Sequence, residues 1–226
     1  MIQFENFSVQ FSNKFVLNNF CLNVRKGAIH GLVGMNGSGK STFFKAACDL
    51  INKESGKISF QNQIIDANEI AFLETENYFY PKIKAIEYLE LFKLTNSKFD
   101  PKEWNKLFEL PLQQLVENYS TGMRKKLALL GVLALNRSIL FLDEPFNGLD
   151  LESNEKLKFL IELQAKKGKT IIVTSHILDP LLAVCEKISY LNNQTNAGDF
   201  EKGEFSTFSE MLKTNIGKSF DNINFD

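Results

Sequence analysis

The residues best suited to chemistry lie in a glycine-rich segment, G-M-N-G-S-G-K-S-T, at positions 34–42. Its glycines permit a loop whose backbone N–H groups surround an anion, and a following helix would present its positive end to the same place. Lys40 adds a charge for the β- and γ-phosphates, and Ser41 offers a hydroxyl to a magnesium ion. The segment predicts a nucleoside-triphosphate site. Its expected contacts are Gly34, Asn36, Gly37, Ser38, Gly39, Lys40, Ser41 and Thr42.

Two carboxylates follow a second apolar segment, at positions 139–142. Asp143 and Glu144 come at the carboxyl end of a predicted parallel strand, which is the edge where ligands bind in open α/β sheets. We expect Asp143 to hold magnesium together with Ser41, and Glu144 to polarise a water molecule for attack on the γ-phosphate. Alone, this pattern is as typical of a solvated strand end, but behind a phosphate loop it indicates a hydrolytic site.

The elements that must position these residues are indicated by hydrophobic periodicity. The apolar run at 28–33 predicts a buried strand before the loop, and residues 42–47 predict a helix after it, which is the setting that a phosphate-binding loop requires. A helical period is expected from Pro81 to about Arg137. The other predicted strands cover 2–4, 20–24, 56–73, 139–142, 170–174, 188–191 and the region of Gly198 and Gly203, and the other predicted helices cover 127–135 and 151–166.

These elements predict an α/β fold class. We expect a P-loop NTPase core, with a mixed sheet and helices on both faces, plus an antiparallel β subdomain and a helical insertion. The whole chain, 1–226, is predicted to be one domain. Its α/β core is expected at 1–80 and 137–213, its helical subdomain at 81–136 and a loose polar tail at 214–226.

Composition limits the classes of function. The 226 residues carry 26 basic and 27 acidic side chains, a net charge of −1, so nucleic acid is not an expected partner. The longest apolar run, 127–135, is far shorter than the roughly 20 residues of a membrane-spanning helix, so no direct membrane span is expected. Met1–Glu5 does not resemble a signal peptide. Cys21, Cys48 and Cys185 lack metal-ligand spacing and are expected to be free, mostly buried thiols in a reducing compartment.

Further segments, in the same order along nearly the whole chain, make it resemble the ATP-binding cassette of ABC transporters. Tyr119-Ser120-Thr121-Gly122-Met123 is similar to that family's signature motif, commonly L-S-G-G-Q, and stands before a long predicted helix for which Ser120 is a plausible N-cap. The resemblance implies that Ser120, Thr121 and Gly122 contact the γ-phosphate of ATP held by a second cassette. Thr121 replaces the usual first glycine of the motif and Met123 its glutamine.

The same resemblance implies roles for three more residues. Asp150 ends Asn147-Gly148-Leu149-Asp150, which resembles the D-loop that couples the two sites of a dimer, and it also suits the N-cap of the next helix. His176, after the strand at 170–174, resembles the switch histidine that contacts the γ-phosphate and the attacking water. Phe11 occupies the place of the aromatic residue that stacks on adenine, whereas Phe15 is better explained as the start of a strand.

One expected residue is missing from the resemblance. After the strand at 70–73 the family places a glutamine that contacts magnesium, whereas this chain has Glu74-Thr75-Glu76, with Thr75 nearest and either carboxylate as an alternative. The aromatic loop at 78–81 is either a clamp on the helical insertion or the lining of a groove for a short helix of a membrane subunit. Arg124-Lys125-Lys126 is expected on a wet helix face and His30 in a structural role.

The combined prediction is an ATPase subunit of an ABC transporter, with ATP and Mg²⁺ as cofactors and Lys40, Glu144 and His176 as catalytic residues. Its expected partners are a second cassette and a separate membrane permease, which would place it on the cytoplasmic face of the membrane. The signature segment favours export. The alternatives are a soluble cassette acting on ribosomes or DNA, a module that binds ATP without hydrolysing it, and a P-loop kinase.

Overall fold

The computed structural model describes residues 1–218, which form two sheets and the helices that cover them. The strands of the described residues are β1 (Ile2–Phe11), β2 (Lys14–Val24), β3 (Ile29–Val33), β4 (Ser55–Phe60), β5 (Gln63–Ile64), β6 (Ile70–Leu73), β7 (Ile139–Asp143), β8 (Thr170–Thr174), β9 (Lys187–Asn192) and β10 (Thr195–Glu201). The α-helices are α1 (Lys40–Ala47), α2 (Ala85–Leu91), α3 (Pro101–Asn105), α4 (Thr121–Ala134), α5 (Leu151–Lys166), α6 (Leu178–Val184) and α7 (Phe205–Lys218).

The larger sheet has six strands in the order β10-β9-β3-β8-β7-β6. All neighbouring pairs are parallel except β9 and β10, so the sheet is mixed as predicted. Its central strands β3, β7 and β8 are buried at every residue, because apolar runs without alternation suit strands that are covered on both faces. The carboxyl ends of these three strands meet at one edge, where the phosphate loop begins.

The smaller sheet is antiparallel, in the order β2-β1-β4-β5, and confirms the predicted antiparallel β portion of the fold. A cluster of phenylalanine rings joins it to the larger sheet through α1. The ring of Phe43 on α1 lies 5.4 Å from that of Phe4 on β1, 4.8 Å from that of Phe20 on β2 and 6.2 Å from that of Phe141 on β7. These contacts fix α1, and the loop that precedes it, against both sheets.

The region predicted to be a helical subdomain, 81–136, contains α2, α3 and α4, separated by turns. Asp100 ends one of these turns by accepting hydrogen bonds from the first backbone N–H groups of α3, and Asn105 closes the next by bonding the backbone of Leu110. No helix in the described part of the chain is long and apolar enough to cross a membrane.

Two expectations need correction. The chain from Thr214 was expected to be loose, but α7 continues through Lys218. The rest of that predicted tail, 219–226, lies outside the described residues.

The three cysteines are free, but Cys21 is exposed rather than buried, because it lies on the outward face of β2. The expectation of burial was wrong because successive side chains of a strand point to opposite faces of the sheet, and Cys21 lies on the solvent face.

His30 is confirmed as a buried residue of the central sheet. Its Nε2 lies 2.9 Å from the hydroxyl oxygen of Ser189, which donates to the carboxylate of Asp199 at 2.6 Å. Burial lowers the pKa of His30 to about 4, although the Asp199 carboxylate acts in the opposite direction. A neutral imidazole that shares in a satisfied hydrogen-bond network fits a structural role.

Candidate functional site

The phosphate loop connects β3 to α1 in the predicted order. Gly39 is the N-cap of α1 and has a φ of 110°, a conformation that favours glycine, so the helix begins at Lys40 rather than at Thr42. Lys40 is 7% exposed, and its Nζ donates to the carbonyl oxygens of Gly34 at 2.7 Å and Met35 at 3.2 Å. The amine therefore bonds the first two residues of the loop, Gly34 and Met35. Burial lowers the pKa of Lys40, and the nearby carboxylates of Glu144 and Asp143 oppose that shift.

A cleft of about 450 Å³ opens above the loop. It brings together residues from four segments of the sequence that are far apart along the chain. Most of the residues predicted to bind the triphosphate line it. The lining consists of Asn36, Gly37, Ser38, Gly39, Lys40, Ser41, Thr42, Thr75, Glu144, Asn147 and His176.

Asp143 lies at the end of β7 with its carboxylate buried. One carboxylate oxygen accepts a hydrogen bond from the hydroxyl of Thr174 at 2.5 Å, and the other accepts one from the hydroxyl of Thr75 at 2.9 Å. Thr75, the residue predicted to be nearest to the position of the missing glutamine, thus contacts Asp143. Thr174 was missed by the sequence analysis, although its position at the end of β8, opposite Asp143, could have indicated it.

Glu144 is in direct contact with His176 in the cleft. Its Oε2 accepts a hydrogen bond from the backbone N–H of His176 at 3.1 Å and lies 2.8 Å from the Nδ1 of the same residue. The side chain of Glu144 is 11% exposed, whereas that of His176 is 44% exposed. An acid held by a histidine at the edge of a phosphate site is suited to polarising a water molecule.

The backbone of Glu144 adopts an unusual conformation. Its φ is 50°, although a residue before a proline normally adopts an extended conformation. Its N–H donates to the hydroxyl of Thr174 at 3.0 Å, and its carbonyl oxygen accepts from the Nζ of Lys125 at 2.7 Å and from the N–H of Asn147 at 3.3 Å. Buried partners on both sides therefore hold the turn that presents the carboxylate.

The basic triplet at 124–126 is a solvent-facing helix surface only in part: Arg124 is exposed, as predicted, Lys126 is partly buried and Lys125 is buried. Lys125 is 5% exposed, and Arg124 donates to the carbonyl oxygens of Val116 and Glu117 at 3.2 and 2.7 Å. Lys126 pairs with Asp150 at 3.2 Å. The expectation was wrong for Lys125 because its ammonium group has a buried acceptor in the carbonyl oxygen of Glu144, at 2.7 Å.

The start of α4 has the predicted cap. The hydroxyl oxygen of Ser120 accepts a hydrogen bond from the N–H of Met123 at 3.2 Å. A Cβ added to Gly122 would lie 2.7 Å from the carbonyl oxygen of Gly148, so this close contact requires glycine. Ser120 and Thr121 are exposed. None of the residues predicted to contact a second cassette's ATP lines the cleft of its own chain.

Asp150 caps α5, as predicted. Its carboxylate accepts hydrogen bonds from the N–H of Ser153 at 2.8 Å and from Lys126 at 3.2 Å. These hydrogen bonds, that to Ser153 first, hold the pKa of Asp150 below its ordinary value.

Two residues predicted to bind the nucleotide lie outside the cleft lining. Phe11 lies at the end of β1 and is half exposed. Gly34 also lies outside the lining, with its carbonyl oxygen under the Lys40 amine.

The donors near the cleft suit a hard cation. Within residues 1–218 no group of three or more His, Cys, Asp or Glu side chains is placed to hold a metal ion. The oxygens of Ser41, Thr75 and Asp143 match Mg²⁺, which is usually bound by one or two protein oxygens together with substrate phosphates and water. The oxygen donors present therefore fit a magnesium ion.

The comparisons with known proteins agree with the geometry. The ABC transporter family profile matches residues 17–147. The ABC transporter ATP-binding protein YtrB of Bacillus subtilis (strain 168) is 30% identical over 229 residues, covering 96% of this chain and 78% of the relative. The lantibiotic transport ATP-binding protein SrtF of Streptococcus pyogenes is 28% identical, covering 84% and 86%. A dimeric cassette solved in a post-hydrolysis state with ADP and Pi has a TM-score of 0.76 at 23% identity, covering 89% and 99%.

Proposed function

The chain belongs to the ABC transporter family as an ATP-binding subunit with an ATPase domain, and on this premise we propose how it uses ATP and what it drives. We propose that two cassettes enclose Mg-ATP, hydrolyse it and thereby move a separate membrane permease. The observation that carries the proposal is the single cleft in which the phosphate loop, Glu144 and His176 meet.

In this mechanism the loop binds the triphosphate before any chemistry occurs. The backbone N–H groups of 36–42 and the amine of Lys40 neutralise phosphate charge, and each charge-assisted hydrogen bond contributes roughly 1.5–3 kcal/mol. Ser41 and Asp143 would hold Mg²⁺, which lowers the charge on the β- and γ-phosphates. Thr75 then serves to fix the Asp143 carboxylate, in the place of the missing glutamine.

Hydrolysis is assigned to Glu144 and His176. Glu144 accepts a proton from the attacking water as that water forms its bond to the γ-phosphorus, and the bond to the leaving ADP oxygen breaks. His176 holds the Glu144 carboxylate through its backbone N–H and ring nitrogen. This arrangement keeps the acid turned toward the cleft while the nucleotide enters.

A second cassette would complete the site. Ser120 caps the 14-residue helix α4, and Thr121 and Gly122 begin it. None of the three lines its own cleft, so they are available to another chain's γ-phosphate. A helix N-terminus favours an anion because its first N–H groups lack intrahelical partners. Asp150 lies beside this helix through Lys126 and is assigned to coupling between the two sites. Phe11, exposed on β1, is assigned to stacking on adenine.

Phosphate release from the purified chain tests the proposal. We expect turnover with Mg-ATP that falls to background when EDTA removes the magnesium, since the cation offsets charge that Lys40 alone cannot. Turnover per molecule is expected to rise with protein concentration, because two chains form each site. A module that only binds ATP would release no phosphate at any concentration.

The permease is expected to dock beside the aromatic loop at 78–81. Tyr78 and Tyr80 are 77% and 63% exposed, and their rings lie 5.8 Å apart. They line a groove of about 180 Å³ with Val116 and Arg124. Exposed aromatic pairs beside a groove are typical of surfaces that receive a partner helix.

Replacing Tyr78 and Tyr80 with alanine is expected to weaken capture of the permease by about tenfold or more, because aromatic anchors supply much of an interface's energy. Co-purification from membranes with the tagged chain measures this. The matched control is Phe159→Ala, which removes an equally exposed ring from α5. Equal recovery of permease with both variants would contradict the assignment.

The direction of transport is proposed to be export, and the support is the form of the signature segment at 119–123. Location follows from the partner: the chain would lie on the cytoplasmic face of the membrane, held there by the permease. No observation in the described residues favours the alternative of a cassette that acts on a soluble macromolecular complex.

A further inference from the structure

We infer that Lys125 is a positioning residue, whose side chain holds the backbone of Glu144 in the conformation from which its carboxylate acts on water. The inference rests on the role proposed above for Glu144. Lys125 itself does not line the cleft, so it acts through Glu144.

The first observation is where Lys125 carries its charge. The residue lies in the second turn of α4, is 5% exposed, and donates from Nζ to the Glu144 carbonyl oxygen at 2.7 Å. Burial lowers the pKa of Lys125, and the carboxylates of Glu144 and Asp143 partly offset that shift. Burying an ammonium group has a cost, and the contact that it makes is with a backbone oxygen of the proposed water-activating residue.

The second observation is the conformation that this contact supports. A φ of 50° is rare for a glutamate and persists only where neighbouring groups hold it. Thr174 fixes the peptide before Glu144 at 3.0 Å. The peptide after it is held by Lys125 at 2.7 Å and by the Asn147 N–H at 3.3 Å, and the charged donor is the stronger of the two. Without Lys125 the turn, and the carboxylate with it, gains freedom to rotate.

The third observation is the helix on which Lys125 lies. Ser120, proposed to contact ATP of the second cassette, caps the same helix one turn earlier. A shift of α4 would therefore be transmitted to the backbone of Glu144 through one hydrogen bond. This link would align the acid of one site when the helix engages the nucleotide of the other.

Lys125→Met removes the donor and keeps most of the stem. We expect kcat for phosphate release to fall about 10- to 100-fold, because a small misplacement of a catalytic group has an effect of this size. The Kd for a fluorescent ATP analogue is expected to stay within about twofold. Lys169→Met is the matched control: Lys169 is also buried, at 9% exposure, but lies before β8 at the opposite end from the site.

A double-variant cycle separates positioning from a general loss of structure. In a Glu144→Gln background, where the base is already absent, Lys125→Met should change the residual rate by less than about twofold. Lys125→Arg, which keeps a cationic donor, should retain about a third or more of the wild-type kcat. Thermal melting identifies any variant that fails to fold. If Lys125→Met does not fold, the kcat of Lys125→Arg is compared with that of the wild type instead.

The inference is overturned if Lys125→Met hydrolyses ATP at the wild-type rate, if Lys169→Met loses as much activity, or if the loss persists in the Glu144→Gln background. These results leave the proposed function intact. A wild-type chain that releases no phosphate would instead overturn the proposed function itself.

Discussion

Glu144→Gln is expected to lower phosphate release about 10²- to 10⁴-fold while leaving ATP binding intact. The amide has nearly the same shape as the carboxylate and keeps an oxygen for the His176 N–H, but it cannot accept a proton from water. Because the residue lies beside the triphosphate site rather than in the phosphate loop, the loss falls on kcat. Single-turnover phosphate release and nucleotide titration measure the two quantities separately.

Two further results bear on that prediction. Glu152→Gln, which neutralises an exposed acid in the first turn of α5, should hydrolyse ATP like the wild type. The Glu144→Gln chain with Mg-ATP should elute as a dimer, since ATP that is not cleaved keeps both cassettes together. Wild-type turnover by Glu144→Gln would remove this residue from its catalytic role, and a persistent monomer would contradict the shared site.

Lys40→Met is expected to weaken ATP binding about 10- to 150-fold, which corresponds to the loss of one charge-assisted contact worth roughly 1.5–3 kcal/mol. Methionine retains the buried stem and removes the charge that the β- and γ-phosphates require. Isothermal titration with Mg-ATP measures the change. Hydrolysis should fall with it at nucleotide concentrations below the new Kd.

The control for this prediction lies on the same helix. Lys45 is half exposed and pairs with Glu74 at 3.1 Å outside the cleft lining, so Lys45→Met should bind ATP within about twofold of the wild type. If both lysine variants bind ATP equally well, Lys40 does not carry the phosphate charge. Melting curves without nucleotide distinguish a lost contact from a collapsed loop.

The sequence predicted much of this architecture because its strongest signals are local. The apolar run before Gly34 and the two acids after Leu142 each indicate a strand and its end without reference to any other part of the chain. Parallel pairing then places the ends of those strands at one edge, so the cleft follows from topology. Ser120 and Asp150 were predicted as caps for the same local reason, and both are caps.

The misses are contacts between distant segments. Nothing near Lys125 indicates that its amine reaches the carbonyl of Glu144, 19 residues along the chain. Thr174 lies 31 residues from Asp143 and has no motif around it. Only the end of α7 falls in the predicted tail, where the polar segment from Thr214 lacks the apolar periodicity that predicts a helix.

The ring of Phe43 has a consequence for how the two sheets can move. It touches aromatic side chains of both sheets and lies one residue beyond the phosphate loop, so the sheets and the loop behave as one stiff block. A hinge within that block would have to open an aromatic interior.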